Sequence, residues 1–445
     1  MQNPSIQEEY ELSNISLAMR AKENEKNTSE QNIINAENGE MKDMAMDGGF
    51  DAWCTVVGGW LAMTATFGYQ NAYGVYQDFY GLSHSASTSA ISWIGSTQLF
   101  LLTSMGLFAG KLLDLGYFRQ TIFAGSLLYV FSLFMLSLAH PDQYYQLFLS
   151  QGIGMGLGSG LIYIPCLAVQ SHHWRTRRAL ALGIVFTGSS VGGIAFPIML
   201  NYLLSTKLGF PWSVRVSAFV ALVMLVLANI LMRPRKEMLQ GRYAPKPSIK
   251  SFFSDSPYVL LIVGAFFCLA GVFYPYFYVQ VYARLHGVDD TVSFYMLAIL
   301  NGSSIPGRVI PNLFVHKLGL FNMLLFSGIA CAVLIFALFG INALPGITVF
   351  TILSGFFTGW FLSLLAAATA SLARDPSEIG LRMGLAFALA ALGSLVGTPI
   401  DGALLGERFI WWKTFIFSGT MIATGTILLT ISRYTLAKHK GKSIV

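Results

Sequence analysis

Ionisable side chains are scarce inside the long apolar stretches of this 445-residue chain. An ionisable group in such surroundings is costly and by default suggests a functional site. Arg308 stands well inside one stretch. A guanidinium there can take a carboxylate in a two-point grip, or it can be a structural arginine tied to backbone carbonyls or lipid phosphate. Asp401, in Pro399-Ile400-Asp401-Gly402 near the end of another stretch, can be a proton site or a pair for Arg308; a solvated acid at the membrane edge is the other reading. Gln70, Asn71, Tyr163, Tyr274, Tyr278 and Asn301 are neutral hydrogen-bonding or aromatic residues in the same kind of segment. That mixture suits a cavity for a larger, flat or partly apolar ligand, although any one tyrosine can equally be an interfacial anchor. Lys111, Asp114, Arg119 and Arg178 are charged residues that flank the stretches.

Other chemistries find little support. The seven histidines (His84, His140, His172, His173, His286, His316 and His439) are expected in loops, terminal regions or helix ends. Cys54, Cys166, Cys268 and Cys331 fall one each in separate apolar stretches, which offers neither a disulfide framework nor metal-ligand spacing; they read as packing residues. No phosphate-cradling Gly-rich loop is present, and no His, Ser/Asp or acidic residues cluster at one depth. An enzyme, a cofactor and a metal are therefore not expected. The sequons at Asn14, Asn27 and Asn301 fall in cytosolic or membrane-embedded positions, out of reach of glycosylation.

The elements that must position these residues are membrane helices. The chain is 54% hydrophobic and only 11% charged, with mean hydropathy +0.58, whereas soluble domains carry roughly a quarter charged residues. Twelve apolar segments approach the length needed to cross the hydrocarbon: spans 1 to 12 at 52–75, 89–110, 118–139, 144–169, 179–203, 213–232, 257–282, 291–314, 320–340, 346–370, 380–404 and 411–433. Residues 1–51 hold 11 of the 22 acids but 4 of the 28 bases. This acidic stretch, poor in aromatics, is expected to be disordered. It has no signal-peptide core, so span 1 is expected to start insertion. Residues 52–232 and 257–433 form two six-helix halves, 233–256 a cytosolic central loop and 434–445 a basic tail. The even-numbered loops and the C-terminal tail carry 18 Lys and Arg against about 5 in the odd loops. Basic loops stay inside, which places both termini in the cytosol and accounts for the net charge of +6 without nucleic acid.

The two halves repeat each other. Gly152 and Gly156 recur as Gly355 and Gly359, Arg178 as Arg382, Gly188-Ser189-Ser190-Val191-Gly192 as Gly393-Ser394-Leu395-Val396-Gly397, and Pro197 as Pro399. Asp114-Leu115-Gly116-Tyr117-Phe118 is echoed by Lys317-Leu318-Gly319-Leu320-Phe321. Parallel six-helix repeats predict an all-α membrane protein of the major facilitator fold, two pseudo-symmetric halves with a substrate site between them near mid-bilayer. The glycine series in spans 4 and 5 leaves faces where a neighbouring helix can approach closely, for sliding or for tight packing alone.

Three stretches resemble the monocarboxylate transporter family of that superfamily, especially its fungal branch. They are Asp47-Gly48-Gly49-Phe50-Asp51-Ala52-Trp53; His173-Trp174-Arg175-Thr176-Arg177-Arg178-Ala179-Leu180-Ala181-Leu182-Gly183 continuing to Gly193; and Asn301 through Gly307-Arg308 to Pro311. Tyr274-Pro275-Tyr276-Phe277-Tyr278 is similar to the same branch. The resemblance implies that Arg308 binds a substrate carboxylate and moves with it. Asp114-Leu115-Gly116 looks like a worn copy of the superfamily's gating loop, keeping Lys111, Asp114, Gly116 and Arg119; the likeness implies a gate latch on the basic-loop side, with Arg178 as a further candidate. Where proton-coupled members have a lysine and an aspartate, this chain has Asn71 and Ser304, so a lactate-type proton symporter is not expected.

The expected function is therefore secondary or facilitative transport of an amphipathic or weakly acidic organic molecule larger than lactate. Relatives of the resembled branch include exporters of secondary metabolites and vitamin permeases. Efflux is favoured; uptake of a riboflavin-like vitamin or a monocarboxylate is the alternative, and a non-transporting nutrient sensor the alternative of another class. The expected partners are the small-molecule substrate and the bilayer, and the resemblance leaves room for an ancillary membrane subunit. The plasma membrane is the default site, the vacuole the alternative.

Overall fold

The computed structural model describes residues 47–82, 88–235, 249–373, 378–406 and 409–441. The chain divides into a unit ending at Gly49 and a second unit, Phe50–Val445. Of the first unit only residues 47–49 are described, and they are not helical. Most of the acidic tail with Asn14 and Asn27, the central-loop bases Lys236, Arg242 and Lys246, and His84, Arg374, Arg408 and Lys442 lie outside the described residues.

In the second unit the regular elements are helices, with no strand among the described residues. That is what lipid demands, because a helix satisfies its own N–H and C=O groups. Among the described residues, ten helical segments are long and apolar enough to cross a membrane. They are Ala90–Asp114, Phe118–Leu138, Tyr144–His172, Arg178–Leu204, Gly209–Leu231, Ser256–Leu285, Leu320–Gly340, Leu344–Ser371, Ile379–Leu405 and Trp411–His439, and they coincide with expected spans 2 to 7 and 9 to 12. Spans 1 and 8 fall on the helices Phe50–Met63 and Asp290–Val309. Span 3 exposes Phe123, Leu127 and Phe131 one turn apart, and span 9 exposes Phe326, Ile329 and Val333. These are faces for lipid, not water.

The repeat in sequence is a repeat in packing. Span 5 lies on span 1 through Gly188 and Gly192, where an added methyl would overlap Trp60 O and crowd Thr64 O and Gly68 Cα. Span 11 lies on span 7 through Gly393 and Gly397, where it would overlap Phe266 O and Ala270 O. Gly156 and Gly160 seat span 4 on Gln98 and Leu101 of span 2; Gly355 and Gly359 seat span 10 on Leu300 and Ser304 of span 8. Gly393→Val should lower the thermal midpoint in detergent by several degrees, as overpacking costs ~1–3 kcal/mol. Gly340→Ala, with nothing within 4 Å of the new methyl, should leave it unchanged, and equal midpoints would refute the packing.

Candidate functional site

The first span of each copy is broken at the same place. Span 1 passes from a π-helical turn, Thr64–Gly68, through a turn at Asn71 and Ala72 before resuming at Tyr73–Leu82. Span 7 breaks at Phe273, between Ser256–Val272 and Tyr274–Leu285. Interrupted helices at matching positions point to the binding site of a repeat transporter, since irregular backbone at membrane depth must be buried in protein or line a cavity.

The side chains at the break in span 1 are those singled out by type. Gln70 donates through Nε2 to Gly95 O at 3.1 Å, and its Oε1 is buried without a partner. Asn71 donates to Ser189 O at 3.4 Å. Gly193 lies between Asn71 and Asn301, and a methyl there would stand 2.8 Å from Asn71 Nδ2 and from Asn301 Oδ1. Asn301 spends its Nδ2 on Leu297 O at 3.0 Å and leaves Oδ1 buried and unpartnered. Two of the expected residues thus converge from opposite halves. Beside them is a cleft lined by Asn71, Gly74, Gly193, Pro197, Gln280 and Phe294, residues from the ends of their spans remote from the basic loops.

Deeper along span 8, Arg308 is 2% exposed. Its Nη1 donates to Phe186 O and Ser189 Oγ of span 5, and its guanidinium lies 5.8 Å from the Phe186 ring centre. Nε is buried without a partner, and the hydroxyl of Tyr276 lies close to both Ser304 and the guanidinium. Tyr163 and Tyr276 are within electrostatic reach of the guanidinium. Tyr163 also packs on Phe67 at 5.9 Å, Phe186 at 6.4 Å and Phe387 at 6.0 Å, joining spans 1, 4, 5 and 11 in one aromatic wall. One turn up span 8, Ser304 Oγ meets Ser190 Oγ at 2.6 Å. The result is a buried cation with an unused donor, two phenols and an apolar wall, a setting for an anionic group on a partly aromatic molecule.

Not every expected residue is there. Tyr274 and Tyr278 stack on each other at 5.1 Å and turn away from Arg308, with Tyr274 Oη at 3.1 Å from Thr414 Oγ1 and Tyr278 donating to Thr398 O at 3.0 Å. They face Asp401, which is fully buried rather than solvated and accepts from Ser418 Oγ at 2.8 Å. The contacts of Asp401 are within spans 7, 11 and 12, and it makes no ion pair with Arg308. Tyr276 is the residue that sequence reasoning passed over. It stands in the same aromatic run, but the break at Phe273 decides which ring turns inward, and no spacing rule reports that.

On the basic-loop side the halves are locked together. Asp114 accepts from the backbone of Gly380 at 3.0 Å and Leu381 at 2.6 Å, at the start of span 11, where a helix favours an anion. Arg178 donates to Ala370 O at 3.2 Å, at the end of span 10, where a helix favours a cation. Span 2 touches span 11 through Gly106 with Gly384 and Gly110 with Gly380, and span 5 touches span 8 where Gly183 meets Arg308 O. Arg382, the echo of Arg178, instead binds Asp255 at the end of the central loop at 2.8 Å and Glu378 in its own half at 2.9 Å. Lys111 and Arg119 are exposed; Arg119 lines a groove with span 6 and takes no part in the lock.

Removing the Asp114 carboxylate should loosen this side. Asp114→Ala is expected to speed maleimide labelling of an Ala370→Cys reporter about ten-fold, the effect of ~1–2 kcal/mol at a partly buried helix terminus. Unchanged labelling would show that Asp114 bears no part of the lock.

Residues 55–350 match the model of the Major Facilitator Superfamily. The chain is similar to the aspyridones efflux protein apdF of Emericella nidulans, 35% identical over 94% of this chain and 85% of that one. It is similar to the MFS-type transporter pynF of Aspergillus niger, 36% identical over 89% and 92%. The agnestins efflux protein AgnL12 of Paecilomyces divaricatus is 33% identical over 85% and 86%. Among solved structures, the superfamily transporter FucP in its outward conformation superimposes with a TM-score of 0.64, covering 85% of this chain and 98% of that one at 14% identity; this likeness concerns the fold.

Proposed function

The chain belongs to the Major Facilitator Superfamily and is a multi-pass transmembrane transporter, and on that premise we propose that it exports a small organic molecule bearing an anionic or weakly acidic group, held by Arg308. The observation that carries this reading is the double engagement of one side chain. Arg308 ties span 8 to span 5 through Nη1, yet keeps Nε unpartnered beside Tyr163 and Tyr276. A carboxylate entering here satisfies the free donor and competes with Phe186 O and Ser189 for the other. Cargo then binds the locked and unlocked arrangements differently, which is what a ligand needs in order to shift a conformational balance. Asp401, buried with Ser418 as its donor, is the candidate for proton coupling.

Direction rests on the relatives, two of which are named as efflux proteins. The motifs around Arg178 and Arg308 favour the fungal monocarboxylate-transporter branch. Twelve spans in halves 52–232 and 257–433, with the basic loops and both termini in the cytosol of a plasma-membrane protein, complete the reading. Under it, the locked side is cytosolic and the cleft at Asn71 opens outward.

The test is flux of a panel of aromatic and aliphatic carboxylic acids, a flavin and the neutral methyl ester of each acid across proteoliposomes, with and without a pH gradient. Saturable flux of acids with little of the esters is the expected result. Esters carried as fast as the acids would overturn the anion-binding role of Arg308.

A further inference from the structure

We propose that the groove between spans 3 and 6 on the basic-loop side is a site for the headgroup of an anionic phospholipid, with Arg119 as the residue that takes its phosphate. The groove is a cavity of ≈ 400 Å³ in which Arg119 and Gln120, from the first turn of span 3, face Asn229 and Met232 at the end of span 6. Arg119 is exposed, and among the described residues no carboxylate lines the groove. Asn229 donates through Nδ2 to Ser126 Oγ at 2.9 Å and Leu225 O at 2.7 Å. That fixes the amide and leaves its oxygen to accept from a headgroup hydroxyl or ammonium. The first turn of the 21-residue helix Phe118–Leu138 adds its positive end to the charge of Arg119.

The groove continues into an apolar face. Ile122 and Phe123 line it, and on the same two helices Leu127 and Ile230 are 62% and 60% exposed. A cation above an exposed hydrocarbon surface matches an amphiphile with an anionic head, whereas free phosphate has no use for the apolar part. Arg119 was expected in the gate by its place in the loop motif; its surroundings give it this different partner. The site depends on the membrane setting and not on the identity of the cargo.

The test is native mass spectrometry of the full-length protein, delipidated in detergent and then offered equal amounts of phosphatidylserine and phosphatidylcholine. The parent should retain the anionic lipid about five-fold over the zwitterionic one, the order expected for one basic side chain at a headgroup. Arg119→Gln should abolish that preference and Arg119→Lys should keep it, with all three showing the same melting temperature in phosphatidylcholine. Millimolar inorganic phosphate should not displace the bound lipid. A parent without preference, an Arg119→Gln variant that keeps it, or displacement by phosphate would each overturn the proposal.

Discussion

Arg308→Ala should abolish cargo flux in proteoliposomes while leaving the helical fold intact. A carboxylate held in a fork accepts two charge-assisted hydrogen bonds of ~1.5–3 kcal/mol each. Losing both corresponds to about a hundred-fold or more in affinity or rate. The fold should survive because the partners of Arg308 across the seam are a backbone carbonyl and a hydroxyl; no buried carboxylate is left uncompensated by its removal. Arg308→Lys keeps the charge but loses the planar fork, so it should fall between parent and alanine. The check is initial flux of the acid carried best by the parent, alongside the melting temperature. Flux within about two-fold of the parent would remove Arg308 from the binding site, because a lost charge-assisted hydrogen bond costs more than that.

The fold was legible in the sequence because its repeat is carried by glycines, whose role is to let helices touch. Gly188, Gly192, Gly393 and Gly397 recur at one offset and make equivalent contacts with spans 1 and 7. Spans 1 and 8 are the informative exceptions, absent from the ten segments apolar enough to cross by composition. They are also the spans that bring Gln70, Asn71, Asn301 and Arg308 to the centre. Polarity that serves the site weakens the membrane pattern, so the departure and the function share a cause.

The site was legible only in part. Residue type marked Arg308, Asn71, Asn301 and Tyr163, because buried polar groups are expensive without a purpose. Orientation was not available from type. Tyr274 and Tyr278 are one helical turn apart and share a face, but that face turns to Asp401, and Tyr276 takes the place beside Arg308. The lock between Asp114 and the start of span 11 joins residues more than 260 positions apart through backbone N–H groups. Backbone donors carry no residue signature, so only the fold reveals them.

Alternating access requires spans 5 and 8 to separate on the locked side. Ser190 and Ser304 face each other across this seam at 2.6 Å between hydroxyl oxygens. Cysteines at the two positions should pair, since hydroxyl oxygens 2.6 Å apart place the sulfurs that replace them within reach of an S–S bond. The measurement is flux of the same acid by the Ser190→Cys/Ser304→Cys protein, lacking its four native cysteines, before and after oxidation and again after dithiothreitol. Flux should fall to background when the cross-link is complete and return on reduction. Undiminished flux with the disulfide fully formed would contradict transport by opening of this seam.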